Sequence, residues 1–164
     1  MVVLLYYVNR ENHPMTESLA NMLNLAPLNQ VGFVYEDLNA AIALYEPLFG
    51  PFEVQSYGEM EWIYRGKPET SELYIAFGKS GDVEIELIQW VSGATPHKEF
   101  IDAGHEGMQH LRFPVDCMAD TLREAEKFGY KAIWQKEFAK GLEAAYLERE
   151  GDPLLVELFE NKFT

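Results

Sequence analysis

Cysteine is nearly absent from the chain: among 164 residues only Cys117 carries a thiol. That excludes an internal disulfide, and the lack of any CxxC or zinc-finger spacing removes a structural zinc, so a reducing cytoplasmic setting is expected. Cys117 itself reads as a small apolar residue at a strand end. Positive charge is scarce as well, with 13 Lys and Arg against 27 Asp and Glu, which leaves a formal net charge of −14. Such a balance opposes nucleic acid and anionic membrane surfaces by plain repulsion. Long apolar runs are missing too. The opening MVVLLYYV is short, lacks a basic start and runs into NRENHP, so it reads as neither a signal peptide nor a membrane span. A strand is expected there, followed by a short helix in MTESLANMLNL with Met15, Leu19 and Met22 on one face.

What the chain does have is a repeat. Hydrophobic residues make up 48% of it, enough for a substantial core, and after residue 25 the same pattern is written twice. QVGFVYEDLNAAIALYEPLFG, from Gln30, lies over HLRFPVDCMADTLREAEKFG, from His110. Each is a strand, an acidic turn and a helix. The helical stripes are Leu38, Ile42, Tyr45 and Phe49 in one half and Met118, Leu122, Ala125 and Phe128 in the other, with Gly50 and Gly129 as C-terminal stops. Three strand-like runs follow each helix: FEVQSYGEMEWIY, ELYIAFG and VEIELIQW, then KAIWQKEF, EAAYLERE and LLVELFE. Both halves read βαβββ, an α+β pattern. The expected organisation is an N-terminal strand-helix extension over 1–26, a first module over 27–91, a linker over 92–107 with a short helix in PHKEFIDAG, and a second module over 108–164.

Side chains alternate along strands with period two, and this puts polar residues on one face of several of them. Gln30 lies opposite the apolar row Val31, Phe33 and Tyr35, and Glu84 and Glu86 lie opposite Val83, Ile85 and Leu87. His110 and Arg112 oppose Leu111, Phe113 and Val115. Glu157 shares a face with Leu155 and Phe159, where a carboxylate costs several kcal/mol unless it is paired or binds a cation. Gln30 and His110 open the two halves, and Glu86 and Glu157 close them. Brought to one point they give an amide oxygen, an imidazole and two carboxylates, a donor set suited to a divalent ion such as zinc, nickel, cobalt, iron or manganese.

On LNQVGFVYEDL, VEIELIQ, GMQHLRFPVD and PLLVELFE, from about residue 28 to 160, the chain resembles the vicinal oxygen chelate superfamily. Its members include glyoxalase I, methylmalonyl-CoA epimerase, extradiol dioxygenases and bleomycin-resistance proteins. The resemblance implies paired βαβββ modules forming a cupped mixed sheet, with Gln30, Glu86, His110 and Glu157 as metal ligands. The linker TPHKEFIDAGHEGMQH is similar to the epimerase branch, whereas the set Gln, Glu, His, Glu is similar to that of glyoxalase I. The epimerase branch usually has histidine where this chain has Gln30, and its second catalytic glutamate lies on the third strand of the first module, where Glu72 and Tyr74 are the nearest candidates.

The activity expected from this is a metal-dependent isomerase, epimerase or lyase acting on a small oxygen-chelating substrate by removing a proton next to a carbonyl. Glu157 is the expected base and Glu86 its mirror-related partner; Arg112, Trp90, Tyr74 and Glu72 are the expected substrate contacts. The alternatives are a metal-free binding protein of the same fold, holding an aromatic ligand among Trp62, Trp90 and Trp134, and an extradiol dioxygenase, which Gln30 disfavours by standing in a histidine place. Arg65 and Lys67 read as solvated surface, and His13, His97 and His105 as exposed. A homodimer is expected, because an open cupped sheet leaves edges to cover and MVVLLYYV is a candidate to cover one.

Overall fold

In the computed structural model, which describes residues 18–163, the first strand, β1 (Gln30–Val34), is buried on one side at Gln30, Gly32 and Val34 and half-buried on the other. The half-buried side, Val31 and Phe33 with Tyr35 beyond, packs against the helix α2 (Leu38–Phe49). Asp37 caps that helix by accepting from the Ala40 N–H. Ahead of β1 lies one helical turn, α1 (Leu19–Met22), where Leu19 and the following Leu23 and Leu25 pack inward while Met22 is exposed. The expected strand MVVLLYYV and Met15 lie outside the described residues.

Three strands follow α2: β2 (Glu53–Tyr64), β3 (Lys67–Ser80) and β4 (Val83–Gly93). A short helix, α3 (Pro96–Asp102), leads to β5 (Gly107–Val115), α4 (Met118–Glu126), β6 (Tyr130–Ala139), β7 (Leu142–Arg149) and β8 (Asp152–Asn161). The order in the sheet is β1-β4-β3-β2-β6-β7-β8-β5, closed by β5 pairing with β1. Each half is a βαβββ unit, as the repeat predicts. Phe128, expected on the α4 stripe, falls beyond the helix end and is largely exposed.

Registers across the centre make the repeat geometric. In the antiparallel pair β1/β5, Gln30 faces Arg112 and Gly32 faces His110. In the parallel pair β1/β4, Gln30 faces Glu84 and Gly32 faces Glu86, while in β5/β8 His110 faces Leu155 and Arg112 faces Glu157. A pseudo-two-fold axis through β1/β5 therefore relates Gln30 to His110, Gly32 to Arg112, Glu84 to Leu155 and Glu86 to Glu157.

Hydrophobic packing divides into three layers. One cluster fills the inside of the cup around Trp62, Ile75, Ile88 and Trp134, and the other two lie under α2 and α4 on the outside. The sheet closes between β2 and β6 by only two residue pairs, Ile63 with Gln135 and Tyr64 with Trp134. Beyond those pairs the two strands part, and Gln55, Tyr57 and Met60 of β2 and Phe138 of β6 line a cavity. Among the described residues no helix is long and apolar enough to cross a membrane.

Helix α4 is held from a distance. Its N-cap residue, Cys117, makes no side-chain cap bond, and instead buried Glu160 of β8 accepts from the Met118 N–H at 2.6 Å. Lys162, and then this backbone bond, keep the Glu160 carboxyl below its ordinary pKa. Glu160→Ala is therefore expected to lower the free energy of unfolding by about 1–2 kcal/mol, the size of a lost N-cap, and urea titration at neutral pH checks it.

Candidate functional site

His110 is fully buried, and one glycine makes that possible. A Cβ built on Gly32 would stand 1.9 Å from His110 Cε1 and 2.1 Å from Nε2, so the imidazole lies directly over the β1 backbone. From there its Nε2 is 3.2 Å from Glu86 Oε2 and 3.4 Å from Glu157 Oε2. The other ring nitrogen is fixed by a relay. Gln109 Nε2 donates to the Pro96 carbonyl, which turns Gln109 Oε1 toward His110 Nδ1 at 3.2 Å. Since Oε1 only accepts, Nδ1 carries a proton, and Nε2 is the ring atom turned to the two carboxylates. Nε2 and the two carboxylate oxygens thus meet at one point, an arrangement that a proton or a cation between them favours.

Two of the buried polar atoms that lack a hydrogen-bond partner among the described residues point to the same need. Glu157 Oε2 and Gln30 Oε1 are buried acceptors with no donor, the second because the Gln30 amide is committed through Nε2 to Glu84 Oε1 at 2.8 Å. Burial, reinforced by Glu86 and opposed by His110 and Arg112, raises the Glu157 pKa to about 7. In kind, two carboxylates, an imidazole nitrogen and an amide oxygen suit a divalent ion. Among the described residues no three His, Cys, Asp or Glu side chains already stand around a common metal position; His110, Glu86 and Glu157 touch directly instead.

Of the residues expected at the site, His110, Glu86 and Glu157 come together. Gln30 is drawn aside to Glu84, and Glu84 Oε1 also accepts from Arg112 Nη2 at 3.2 Å. Arg112 donates through Nε to Asn29 Oδ1 and lies 4.9 Å over the Phe159 ring, on the cavity wall with Glu84, Glu86 and Glu157. Glu72, Tyr74 and Trp90 do not line the cavity. The inner side of β3 is Leu73, Ile75 and Phe77, which leaves Glu72 and Tyr74 on the other face, and Trp90 sits at the far end of β4 with its indole N–H on the Gly93 carbonyl and Lys98 5.0 Å over its ring.

His97, expected to be exposed, is 1% exposed and lines the cavity. It shares a helical face with Phe100 and Ile101, which pack on the inner core. Its Nδ1 is bonded to Thr95 Oγ1 at 2.8 Å, and burial, with a smaller contribution from His110, lowers its pKa to about 3, so the ring stays neutral. Tyr146 joins the site because β7 pairs it with Glu157. Its hydroxyl is 3.5 Å from His110 Nε2, and burial, then Glu157 and Glu86, hold it protonated. His105 is exposed, and Arg65 is an ion-pair centre between Glu99 and Glu148.

The cavity measures about 810 Å³. Its depth is acidic at Glu86 and Glu157, and its walls are aromatic, with Trp62 and Trp134 centred 5.4 Å apart and Trp134 and Tyr146 5.0 Å apart. His110 and Gln30 are not part of its lining; they stand behind the two carboxylates.

Residues 29–146 match the family described as the Glyoxalase/Bleomycin resistance protein/Dioxygenase superfamily. Over 138 residues, 82% of this chain and 92% of the relative, the sequence is 24% identical to the uncharacterized protein YqjC of Bacillus subtilis. The fold is similar to the crystal structure of hypothetical protein BH1468 from Bacillus halodurans, with TM-score 0.59, 22% identity and 84% and 95% of the two chains covered. It is similar also to methylmalonyl-CoA epimerase from Mycobacterium tuberculosis, with TM-score 0.56, 19% identity and 82% and 87% covered.

The seat of His110 can be tested alone. Gly32→Ala is expected to lower stability by about 1–3 kcal/mol, as overpacking does, and to move the His110 imidazole resonances in the NMR spectrum. Unchanged His110 resonances would mean that the ring does not lie on Gly32.

Proposed function

We propose, since the chain belongs to the Glyoxalase/Bleomycin resistance protein/Dioxygenase superfamily, that its cavity moves a proton on the carbon next to a substrate carbonyl. The observation that carries this is the buried Glu157 carboxylate on the cavity wall, its pKa raised toward neutrality and one oxygen without a donor. A base with a pKa near the working pH combines availability with proton affinity.

A substrate lying against Trp62 and Trp134 would bring its reacting carbon to this wall. Glu157 takes the proton, the C–H electron pair moves into an enolate, and negative charge gathers on the former carbonyl oxygen. Tyr146, protonated throughout the working range, is placed to donate a hydrogen bond to that oxygen. For inversion, Glu86, the two-fold mate of Glu157, enters the turnover as the carboxylic acid and gives its own proton to the opposite face while Glu157 keeps the one it took, and exchange with solvent resets the pair; return by Glu157 to the adjacent carbon isomerises the substrate instead. A divalent ion such as zinc, nickel, cobalt, iron or manganese, held by Gln30, Glu86, His110 and Glu157, would supply Lewis-acid polarisation of the carbonyl.

The direct contact of His110 with both carboxylates supports a second reading, a metal-free binder with the ligand held between the tryptophans. Elemental analysis of protein purified without chelator separates the two: about one divalent ion per chain favours the enzyme, and none favours the binder.

The base assignment has its own test. In deuterium oxide, with a panel of hemithioacetals, α-hydroxy ketones and branched acyl-CoA thioesters, the chain is expected to exchange the hydrogen next to the carbonyl of at least one substrate. Glu157→Gln should keep the fold and reduce exchange by about 10²–10⁴-fold. Exchange by Glu157→Gln at the wild-type rate would move the role to Glu86.

A further inference from the structure

We propose that Glu84 determines specificity: by neutralising Arg112 it reserves the cavity for an uncharged substrate that carries an aromatic ring. This rests on the cavity being the substrate site and adds the class of substrate that it takes.

An arginine on a cavity wall is ordinarily an anchor for a carboxylate or phosphate. Arg112 is already engaged. Its Nη2 donates to Glu84 Oε1 at 3.2 Å, its Nε donates to Asn29 Oδ1 at 3.0 Å, and its face rests on Phe159. The Glu84 carboxylate is in turn fixed by the Gln30 amide. The pseudo-two-fold axis shows that this carboxylate is an addition to one half, because the position equivalent to Glu84 is Leu155. The repeat of the fold does not require it.

The rest of the cavity offers an anion no better reception. Four carboxylates, Glu53, Glu84, Glu86 and Glu157, line it against two cations, Lys79 and Arg112, within a chain of net charge −14. Arg65, otherwise a seat for a polyanionic carrier, is locked between Glu99 at 2.7 Å and Glu148 at 3.0 Å. Elsewhere the walls include Trp62, Trp134, Tyr146, Phe77 and Phe159, beside the polar Gln55, Tyr57 and His97. The aromatic walls give flat apolar surface for a ring, and among the described residues no further cation lines the cavity for an extended anion.

Isothermal titration calorimetry of the full chain tests this with three probes. 2-Hydroxyacetophenone is an uncharged ring with vicinal oxygens, phenylglyoxylate carries a similar ring and oxygens with one negative charge, and propionyl-CoA is a polyanion. The neutral ketone is expected to bind at least about tenfold more tightly than either anion, and Glu84→Gln to raise the affinity for phenylglyoxylate relative to the ketone by about tenfold, since the amide keeps the acceptor for Gln30 and removes the charge. Tighter wild-type binding of either anion, an unchanged ratio in Glu84→Gln, or binding of none of the three overturns the proposal. The wild-type comparison stands even where the variant does not fold. If 2-hydroxyacetophenone binds as expected without exchanging its α-hydrogens in deuterium oxide, the proton-transfer reading fails for that ligand and this one holds; preferential exchange of a bound CoA thioester has the opposite meaning.

Discussion

Everything at the centre of this protein depends on one missing methyl group. Gly32 lets the His110 ring lie on the β1 backbone, where any Cβ would fall within the ring's own atoms. With His110 seated there, Nε2 comes within 3.2 Å of Glu86 Oε2 and 3.4 Å of Glu157 Oε2, behind the cavity wall. The two-fold mate of Gly32 is Arg112, so the mate of His110, Gln30, finds a guanidinium and not an open seat opposite it. A repeat that is symmetric in its backbone becomes asymmetric in its chemistry: acids and imidazole on one side, and the neutralised Glu84–Arg112 pair on the other.

Two carboxylates and an imidazole, all buried, are costly to desolvate unless they are paired or bind a cation. The surrounding shell holds them in contact. Gln109 fixes the ring from behind, Tyr146 closes the site from β7, and the inner core packs around Trp62 and Trp134. Such a cluster responds to whatever is placed among its polar groups, be it a proton, a cation or a substrate with a proton to give, and this is the physical basis of the proposed chemistry.

Periodicity made much of this legible in advance. The doubled βαβββ pattern, the helical stripes and the faces carrying Gln30, Glu86, His110 and Glu157 all follow from spacing along single segments. What was not legible depends on pairings between segments. Tyr146 enters because β7 happens to align it with Glu157, and Glu84 matters because Gln30 and Arg112 both reach it from neighbouring strands. Glu72 and Tyr74 failed as contacts by falling on the outer side of β3, a parity that a single residue of register decides. His97 is within reach of sequence reasoning, since its spacing to Phe100 and Ile101 is helical, but a histidine beside lysine and glutamate in PHKEFID looks solvated until its ring is seen bonded to Thr95 and set edge-on to Tyr146.

Burial gives the site a carboxylate whose protonation sits near neutrality. A folded-state pKa raised to about 7 from an ordinary 4.5 means that the native chain retains a proton the unfolded chain releases, so without metal this group's contribution to stability is fully present below about 4.5 and is lost as the pH rises through about 7. Carbon-13 NMR of chelator-treated protein labelled at the glutamate carboxyl carbons reads this directly. One resonance titrating near pH 7, and missing from Glu157→Gln, is the predicted result; a Glu157 resonance titrating in the ordinary carboxylate range would contradict it.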